Sequence, residues 1–249
     1  MGNLPSSRIE PARPFLHFGI EFFGPLLVHY KIRGKQPTKV YLAVFCCFAT
    51  KVVHLEVVGD LSTVAFIRAL KRFLGKIGHC KSLHCDNATN FVGANNKFNE
   101  LLSSLHAAES QESIITTCAN VGIQFNFIPS RAPHIGELWK AAVKSAKHLL
   151  MKSVATASLT YEKLETVVIE AILNSRPLTP LSSNANDYIA LTPGHFLIGE
   201  PLTSRVDVTS NQLQAGLLTR WKLVSHLKNQ FWNRWSQEYL TELQQRNKW

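Results

Sequence analysis

Two acidic residues lie at positions in this sequence where a carboxylate can take part in chemistry. Glu21 stands in the apolar run H-F-G-I-E-F-F-G-P, which predicts a mostly buried strand with one charge in it. An unpaired buried carboxylate is unfavourable, so Glu21 is expected to have a cation, a metal ion or an edge position. Asp86 ends a short predicted strand in L-H-C-D-N-A-T-N-F, where it is either a turn former or a polar site residue. Asn87 and Asn90 follow it and are typical of a turn that also makes polar contacts.

A basic helix of about four turns is predicted within residues 130–152, S-R-A-P-H-I-G-E-L-W-K-A-A-V-K-S-A-K-H-L-L-M-K, after a loop with a proline and a glycine. Its apolar face carries Leu138, Ala142, Val143, Leu149 and Leu150. Its basic face carries Lys140, Lys144, Lys147 and His148. Glu137, in the first turn, is the only acid of the stretch. The basic face is typical of a surface that contacts nucleic acid.

The elements that must position these residues follow from the hydrophobic pattern. Strands are predicted at residues 16–30 (interrupted near Gly24-Pro25), 39–49, 52–58, 81–85 and 124–128. Helices are predicted from the cap Ser62 to Lys76, at residues 98–106, in the basic stretch above and at residues 160–174. Residues 178–207 have an irregular pattern.

This order of elements predicts an α/β fold with a mixed five-stranded sheet flanked by helices. Three strands come first, and strands then alternate with helices. Each strand-to-helix crossover favours parallel pairing, so the fourth and fifth strands are expected to run parallel to the first. A site is expected at the carboxyl ends of these strands.

The composition limits the classes of protein to which the chain can belong. With 249 residues and 45% hydrophobic content, it suits one large or two small globular domains and argues against disorder. The net charge of +10 indicates a polyanionic partner, with nucleic acid as the leading candidate and an inert basic surface as the alternative. The longest uncharged apolar run, residues 40–50, is too short to span a membrane.

The cysteines and the C-terminal aromatics each leave a plain interpretation open. The five cysteines are odd in number and contain no C-x-x-C, which indicates reduced intracellular thiols: Cys46, Cys47, Cys80, Cys85 and Cys118. A last helix is predicted at residues 217–245, with Trp221, Phe231, Trp232 and Trp235 among basic residues. Such aromatics either stack on nucleic acid or, as we favour, pack against a core or a partner.

Three blocks of the chain resemble the catalytic-core blocks of retroelement integrases, and more closely those of BEL/Pao-type LTR retrotransposons. The blocks are R-P-F-L-H-F-G-I-E-F-F-G-P, H-C-D-N-A-T-N-F-V-G-A-N and P-S-R-A-P-H-I-G-E-L-W-K-A-A-V-K-S-A-K. T-K-V-V-H-L-E-V-V, A-I-L-N-S-R-P-L-T-P-L-S-S, L-T-P-G-H-F-L-I-G and F-W-N-R-W-S-Q-E-Y-L support them, so the resemblance extends over residues 13–249. It implies a ribonuclease-H-like fold and phosphoryl transfer by two divalent ions, Mg²⁺ or Mn²⁺, held by Asp, Asp and Glu.

Carrying the family's residues over one at a time exposes two departures. The first Asp of the family falls on Glu21, whose side chain is longer by about 1.5 Å. The second falls on Asp86 and is intact. The final Glu falls on Lys140, which removes a ligand and adds a cation. Glu137, one turn earlier, either substitutes for that ligand or forms a surface pair with Lys140.

The resemblance leads to an expected organisation and function. A flexible arm is expected at residues 1–12, an integrase-like catalytic core at 13–177, and an irregular segment with a C-terminal helix at 178–249. Within the chain no His/Cys zinc-binding module precedes the core and no small barrel follows it, as expected of a polyprotein fragment or of a gene derived from one.

The expected function is that of a nucleic-acid-binding protein related to DNA integration, with impaired catalysis. The partner is DNA, with no membrane and no small-molecule cofactor, in a nuclear location, and a homo-oligomer is left open. The expected contacts with nucleic acid are Lys144, Lys147, Arg131, Asn87 and Asn90. Two alternatives remain: a domesticated non-catalytic DNA-binding or scaffold protein, and an active metal-dependent nuclease that uses Glu21, Asp86 and Glu137.

Overall fold

A five-stranded sheet is the centre of the structure, a computed structural model that describes residues 6–29, 35–107, 122–129, 133–154, 159–167, 173–180, 190–200 and 202. Its strands are β1 (His17–Val28), β2 (Thr38–Cys47), β3 (Val53–Val58), β4 (Ser82–Cys85) and β5 (Gln124–Phe127). Their spatial order is β3-β2-β1-β4-β5. β2 and β3 pair antiparallel, whereas β1 with β4 and β4 with β5 pair parallel. This confirms the predicted mixed five-stranded sheet and the parallel direction of its first, fourth and fifth strands.

Three long helices accompany the sheet in chain order: α1 (Thr63–Ile77), α2 (Thr89–Ala107) and α3 (Glu137–Val154). α1 begins where the sequence predicts, because the Ser62 side chain accepts a hydrogen bond from the N–H of Ala65 at 3.2 Å. It ends at Gly78, whose φ of 87° is readily adopted by glycine.

The helix α2 contains the predicted residues 98–106 but starts nine residues earlier, so only the predicted start was wrong. Asp86 Oδ1 accepts a hydrogen bond from the N–H of Ala88 at 3.0 Å, and this turn leads directly into the helix. Phe91 and Ala94 are buried and extend the helical period ahead of Phe98. The asparagines between them hid that period in the sequence.

The aromatic core lies between the sheet and α1. The rings of Phe45 and Phe73 stack at 4.3 Å, and the Phe18 ring lies 5.0 Å from that of Phe73. Phe22 contacts Phe66 and Phe91. Since side chains alternate along a strand, Gly19 and Glu21 of β1 face the other side of the sheet.

The chain divides into two compact units: Met1–Leu26 with Lys39–Val143, and Leu27–Thr38 with Lys144–Trp249. The second unit holds α4 (Tyr161–Val167), the antiparallel pair β6 (Thr179–Pro180) and β7 (Ala190–Leu191), and α5 (His195–Ile198). Thr160 caps α4 as predicted, because its Oγ1 accepts a hydrogen bond from the N–H of Lys163. The described part of residues 178–207 is therefore not simply irregular.

Further expectations concern the continuity of β1, the state of the cysteines and the residues that the structure does not describe. β1 runs without a break through Gly24 and Pro25, contrary to the predicted interruption. The four described cysteines are buried thiols outside any disulfide, and burial raises the pKa of the Cys80 thiol to about 11. Cys118, Arg131 and the predicted helix 217–245 lie outside the described residues. Among the described residues, none of the helices has the length and hydropathy that a bilayer span requires.

Candidate active site

The parallel strands β1 and β4 bring Glu21 and Asp86 to the same edge of the sheet. Gly19 pairs with His84; Glu21 lies two residues further along β1, and Asp86 is the first residue after the end of β4. Continuing the register places the two residues side by side on neighbouring strands, about 4.8 Å apart along the backbone. The predicted proximity of the two acids therefore follows from strand pairing alone.

Trp139 fixes the start of α3 against this edge of the sheet. Its side chain is 1% exposed and packs so closely on Gly19 that a Cβ there would lie 2.4 Å from Trp139 Cδ2. The Phe48 ring stacks on it with centroids 5.5 Å apart and 14° between the planes. Because Gly19 lies two residues before Glu21, this packing also brings the next helical residue, Lys140, towards the carboxylates.

Lys140 and Asp86 act electrostatically on Glu21. Burial raises the pKa of the Glu21 carboxyl above its ordinary value, the Lys140 ammonium lowers it, and the Asp86 carboxylate raises it. The balance is a raised pKa, so burial outweighs the help from the cation. Of the three positions given by the resemblance, the other two are thus within electrostatic reach of Glu21.

One oxygen of Glu21 lacks a hydrogen-bond partner. Oε2 is buried, and no group within the described part of the chain donates to it. Buried polar atoms are usually satisfied, so an unsatisfied carboxylate oxygen marks a place for an incoming donor or cation.

The residues after Asp86 are engaged in the fold itself. Asn87 Nδ2 donates a hydrogen bond to the carbonyl of Ile128 at 3.0 Å and so links the ends of β4 and β5. Asn90 is 5% exposed, and its Oδ1 accepts a hydrogen bond from the N–H of Phe91. Asp86 and Asn87 are exposed, so of these three residues only Asn90 lies inside the fold.

The basic stretch contributes exposed side chains on α3. Lys140 and Glu137 are both exposed in the first unit, and Lys144 and Lys147 are exposed in the second. Within the described ranges Arg72 and Lys76 form ion pairs with Glu56, whereas Glu137 and Lys140 form none with each other.

The residues at this site do not fit a two-ion centre. Glu21 and Asp86 supply the oxygen ligands that Mg²⁺ and Mn²⁺ prefer, and Glu21 has an unused oxygen. The third position supplies an ammonium group, which cannot coordinate a cation and repels one by about 4 kcal/mol per unit charge pair at about 4 Å. Within the described residues, no group of three or more metal-ligating side chains is found.

A polar row beneath the site was missed in the sequence. His17 Nδ1 lies 2.6 Å from Ser82 Oγ, which lies 3.2 Å from His84 Nε2. Burial, with a smaller effect of His17, lowers the pKa of His84 to about 4, so the ring is neutral at pH 7. The sequence contained a signal for this row, namely polar residues at intervals of two. His17 and Glu21 share one face of β1, and Ser82, His84 and Asp86 alternate along β4 and the residue that follows it.

A second charged cluster was also missed, on β3 and α1. Glu56 accepts hydrogen bonds from His54 Nε2 at 3.0 Å, Arg72 Nε at 2.7 Å and Lys76 Nζ at 3.0 Å. Burial raises the pKa of this carboxyl, but the hydrogen bonds and the Lys76 charge outweigh it and lower the pKa to about 2. The His-x-Glu spacing in V-H-L-E-V indicated a shared strand face, but nothing in it identified the partners on α1.

The fold of this chain is similar to the folds of two solved structures. One similar chain comes from the cryo-EM structure of the simian T-cell lymphotropic virus intasome in complex with PP2A regulatory subunit B56 gamma, with 13% identity and a TM-score of 0.47. That match covers 86% of this chain and 61% of the other, so this chain spans less than two thirds of it. The catalytic core domain of BIV integrase has 13% identity, a TM-score of 0.41, and coverage of 73% and 92% respectively.

Sequence comparisons add little to this similarity. A family model described as "Family of unknown function (DUF5641)" matches residues 219–249, which lie outside the described part of the chain. A comparison with curated protein sequences finds no match.

Proposed function

We propose that this chain is a retrotransposon-derived, integrase-related protein that binds DNA and whose phosphoryl-transfer site is impaired. The sequence blocks that resemble integrase cores support this proposal, and so does the sheet that joins two of them at one edge. The net charge of +10 supports DNA as the partner. Lys140, at the third position of the site, is compatible with DNA binding but not with metal-dependent catalysis.

The observation that carries the proposal is the electrostatic action of Lys140 on Glu21. Three carboxylates would give the site a charge of −3 for two divalent ions to neutralise. Glu21, Asp86 and Lys140 give at most −1, and the remaining cation is tethered to the protein. The site therefore attracts divalent ions weakly and retains an ammonium group that can donate to a phosphate oxygen.

The test is a 3′-processing and strand-transfer assay on terminal-repeat DNA with Mg²⁺ or Mn²⁺. We expect no product from the unmodified chain and measurable product from the Glu21→Asp/Lys140→Glu double variant, which has the family's three ligands. Product from the unmodified chain that Asp86→Asn abolishes would contradict the proposal.

DNA binding is tested separately from catalysis. Fluorescence anisotropy of a labelled duplex should show an affinity that falls linearly on a log–log plot as salt rises, because phosphate contacts release counterions. Binding that does not weaken with salt, or no binding at low salt, would contradict a phosphate-led contact.

A second candidate is an active nuclease that uses Glu21, Asp86 and Glu137, and the unsatisfied Glu21 Oε2 is the observation that favours it. Any activity of this kind would depend on Mg²⁺ or Mn²⁺. Glu137→Gln distinguishes the two candidates, since it abolishes nuclease activity only if Glu137 is a ligand. We favour the impaired site because Lys140 is one of the two charged groups that shift the pKa of Glu21.

A further inference from the structure

The helix α1 presents a surface of one charge sign. Its sequence, T-V-A-F-I-R-A-L-K-R-F-L-G-K-I, contains four cations and no acid. All four are exposed, and at 100° per residue they lie within an arc of about 140° around the helix: Arg68, Lys71, Arg72 and Lys76. We call these four residues the α1 basic stripe. The opposite side of the helix packs on the sheet through Phe66, Leu70 and Phe73.

A buried carboxylate holds two members of the stripe in place. Glu56, whose side chain is 7% exposed, pairs with Arg72 at 2.7 Å and Lys76 at 3.0 Å, while these side chains stay 47% and 60% exposed. Arg72 Nη2 also donates to the carbonyl of Val57 at 3.3 Å. The two cations are therefore ordered before any partner arrives, which lowers the entropy cost of binding.

The remaining two cations are only weakly neutralised. Asp60 is the acid that acts on Arg68, and it lies ahead of the helix, where the Ser62 backbone N–H donates to its Oδ1 at 2.8 Å. Counting Glu56 and Asp60 against the four cations leaves the stripe with a charge of +2. A polyanion is the partner that this charge fits.

The spacing of the stripe fits the backbone of duplex DNA. Arg68, Arg72 and Lys76 follow one another at four-residue intervals, so they rise by about 6 Å per step along the helix. The phosphates of one strand succeed one another about every 3.4 Å along the duplex axis as the strand winds around it. Three cations at these intervals form a continuous positive strip, which suits the evenly spaced phosphates of a strand.

The stripe lies on the opposite face of the sheet from the candidate active site. Phe18 of β1 contacts Phe73 of α1, whereas its neighbour Gly19 contacts Trp139 of α3. Consecutive strand residues point to opposite faces, so α1 and the start of α3 cover different faces. One straight duplex cannot lie over both surfaces.

From the charge, the spacing and the position of the stripe, we propose that Arg68, Lys71, Arg72 and Lys76 form a second DNA-binding surface, which takes a duplex segment separate from the one at Glu21, Asp86 and Lys140. This inference rests on the proposed function, because it requires the chain to bind DNA. The contact is with phosphates and carries no sequence preference.

The test compares salt series of duplex binding for the full chain and for Arg68→Gln/Lys71→Gln, which keeps the two cations that pair with Glu56. We expect the variant's log–log salt slope to be smaller by about 1.8, because each phosphate that no longer meets a cation lowers the slope by about 0.9. Titration with a short duplex should give two bound duplexes per unmodified chain and one per variant. The melting temperature of Arg68→Gln/Lys71→Gln should equal that of the unmodified chain, because both side chains are exposed.

A matched control removes the same charge elsewhere. Lys39→Gln/Lys97→Gln changes exposed cations of β2 and α2, and its slope should stay close to that of the unmodified chain. An equal fall in slope for both double variants, or no fall for the α1 variant, would overturn the second surface and leave DNA binding intact. If the unmodified chain binds no duplex, the proposed function itself fails. Displacement of the duplex by poly-glutamate at equal charge would assign the stripe to an acidic protein.

Discussion

Two glutamates in the same sheet have opposite surroundings. Glu56 is 6% exposed and bonded to His54, Arg72 and Lys76, and its pKa is lowered to about 2. Glu21 is partly buried, has an oxygen without a partner, and has a raised pKa. Both carboxylates have a lysine nearby, but only Lys76 comes within hydrogen-bond distance.

The difference separates a structural carboxylate from a site carboxylate. Every strong acceptor position of Glu56 is used inside the fold, so the group stabilises the fold and has little capacity for a ligand. Glu21 is held near charges without being satisfied by them, which is typical of residues at functional sites. The sheet therefore carries one glutamate, Glu56, whose carboxylate oxygens are hydrogen-bonded, and one, Glu21, with an oxygen that lacks a hydrogen-bond partner.

The largest expected effect breaks this comparison by removing each carboxylate in turn. Glu56→Ala leaves a buried histidine and two cations without their acceptor, so we expect the free energy of unfolding to fall by about 3 kcal/mol. Glu21→Ala removes an unsatisfied group, so we expect a change within about 0.5 kcal/mol. Urea unfolding measures both values, and equal losses in the two variants would contradict the distinction.

A smaller effect is expected at the contact that positions Lys140. Gly19→Ala places a methyl group 2.4 Å from the Trp139 ring, which must move or distort. We expect a loss of about 2 kcal/mol, as for other overpacked cores. Gly59→Ala is the control, because nothing lies within 4 Å of a Cβ there. Similar melting temperatures for the Gly19 variant and the unmodified chain would show that Trp139 is not seated as described.

The third prediction is the pH dependence contributed by Glu56. Its folded pKa of about 2 lies below the ordinary 4.5, so its stabilisation is present above pH 4.5 and is lost as the pH falls towards 2. Because Arg72 and Lys76 are half exposed and screened, we expect a contribution on the order of 1–2 kcal/mol. Glu56→Gln should flatten the stability curve in this window, and an unchanged slope would exclude the ionised cluster.

The sequence predicted the features that depend on local pattern. The order of strands and helices along the chain, the Ser62 cap and the parallel direction of β1, β4 and β5 followed from periodicity and from the strand-to-helix crossovers. The polar start of α2 was mistaken for a turn, because asparagines concealed the period of Phe91 and Ala94. The partners of Glu56 come from a helix sixteen and twenty residues away, and no local pattern specifies such contacts.

For the candidate site, the resemblance identified the three positions, and the structure shows that Lys140 and Asp86 act electrostatically on Glu21. Glu21 and Asp86 are 65 residues apart in the chain, and only the strand register places them side by side. The role of Gly19 as the seat of Trp139 was not deducible from a single glycine in a strand, since the tight approach depends on where α3 packs.

We infer that the Lys140 cation keeps divalent ions from Glu21 and Asp86, and Mn²⁺ binding followed by electron paramagnetic resonance tests this inference most directly. The unmodified chain is compared with Lys140→Glu and with Lys144→Glu, which makes the same charge change four residues along the exposed side of α3. We predict that Lys140→Glu binds Mn²⁺ at least about tenfold more tightly, or about 1.4 kcal/mol, and that Lys144→Glu does not. Equal Mn²⁺ affinity in all three proteins would contradict the claim.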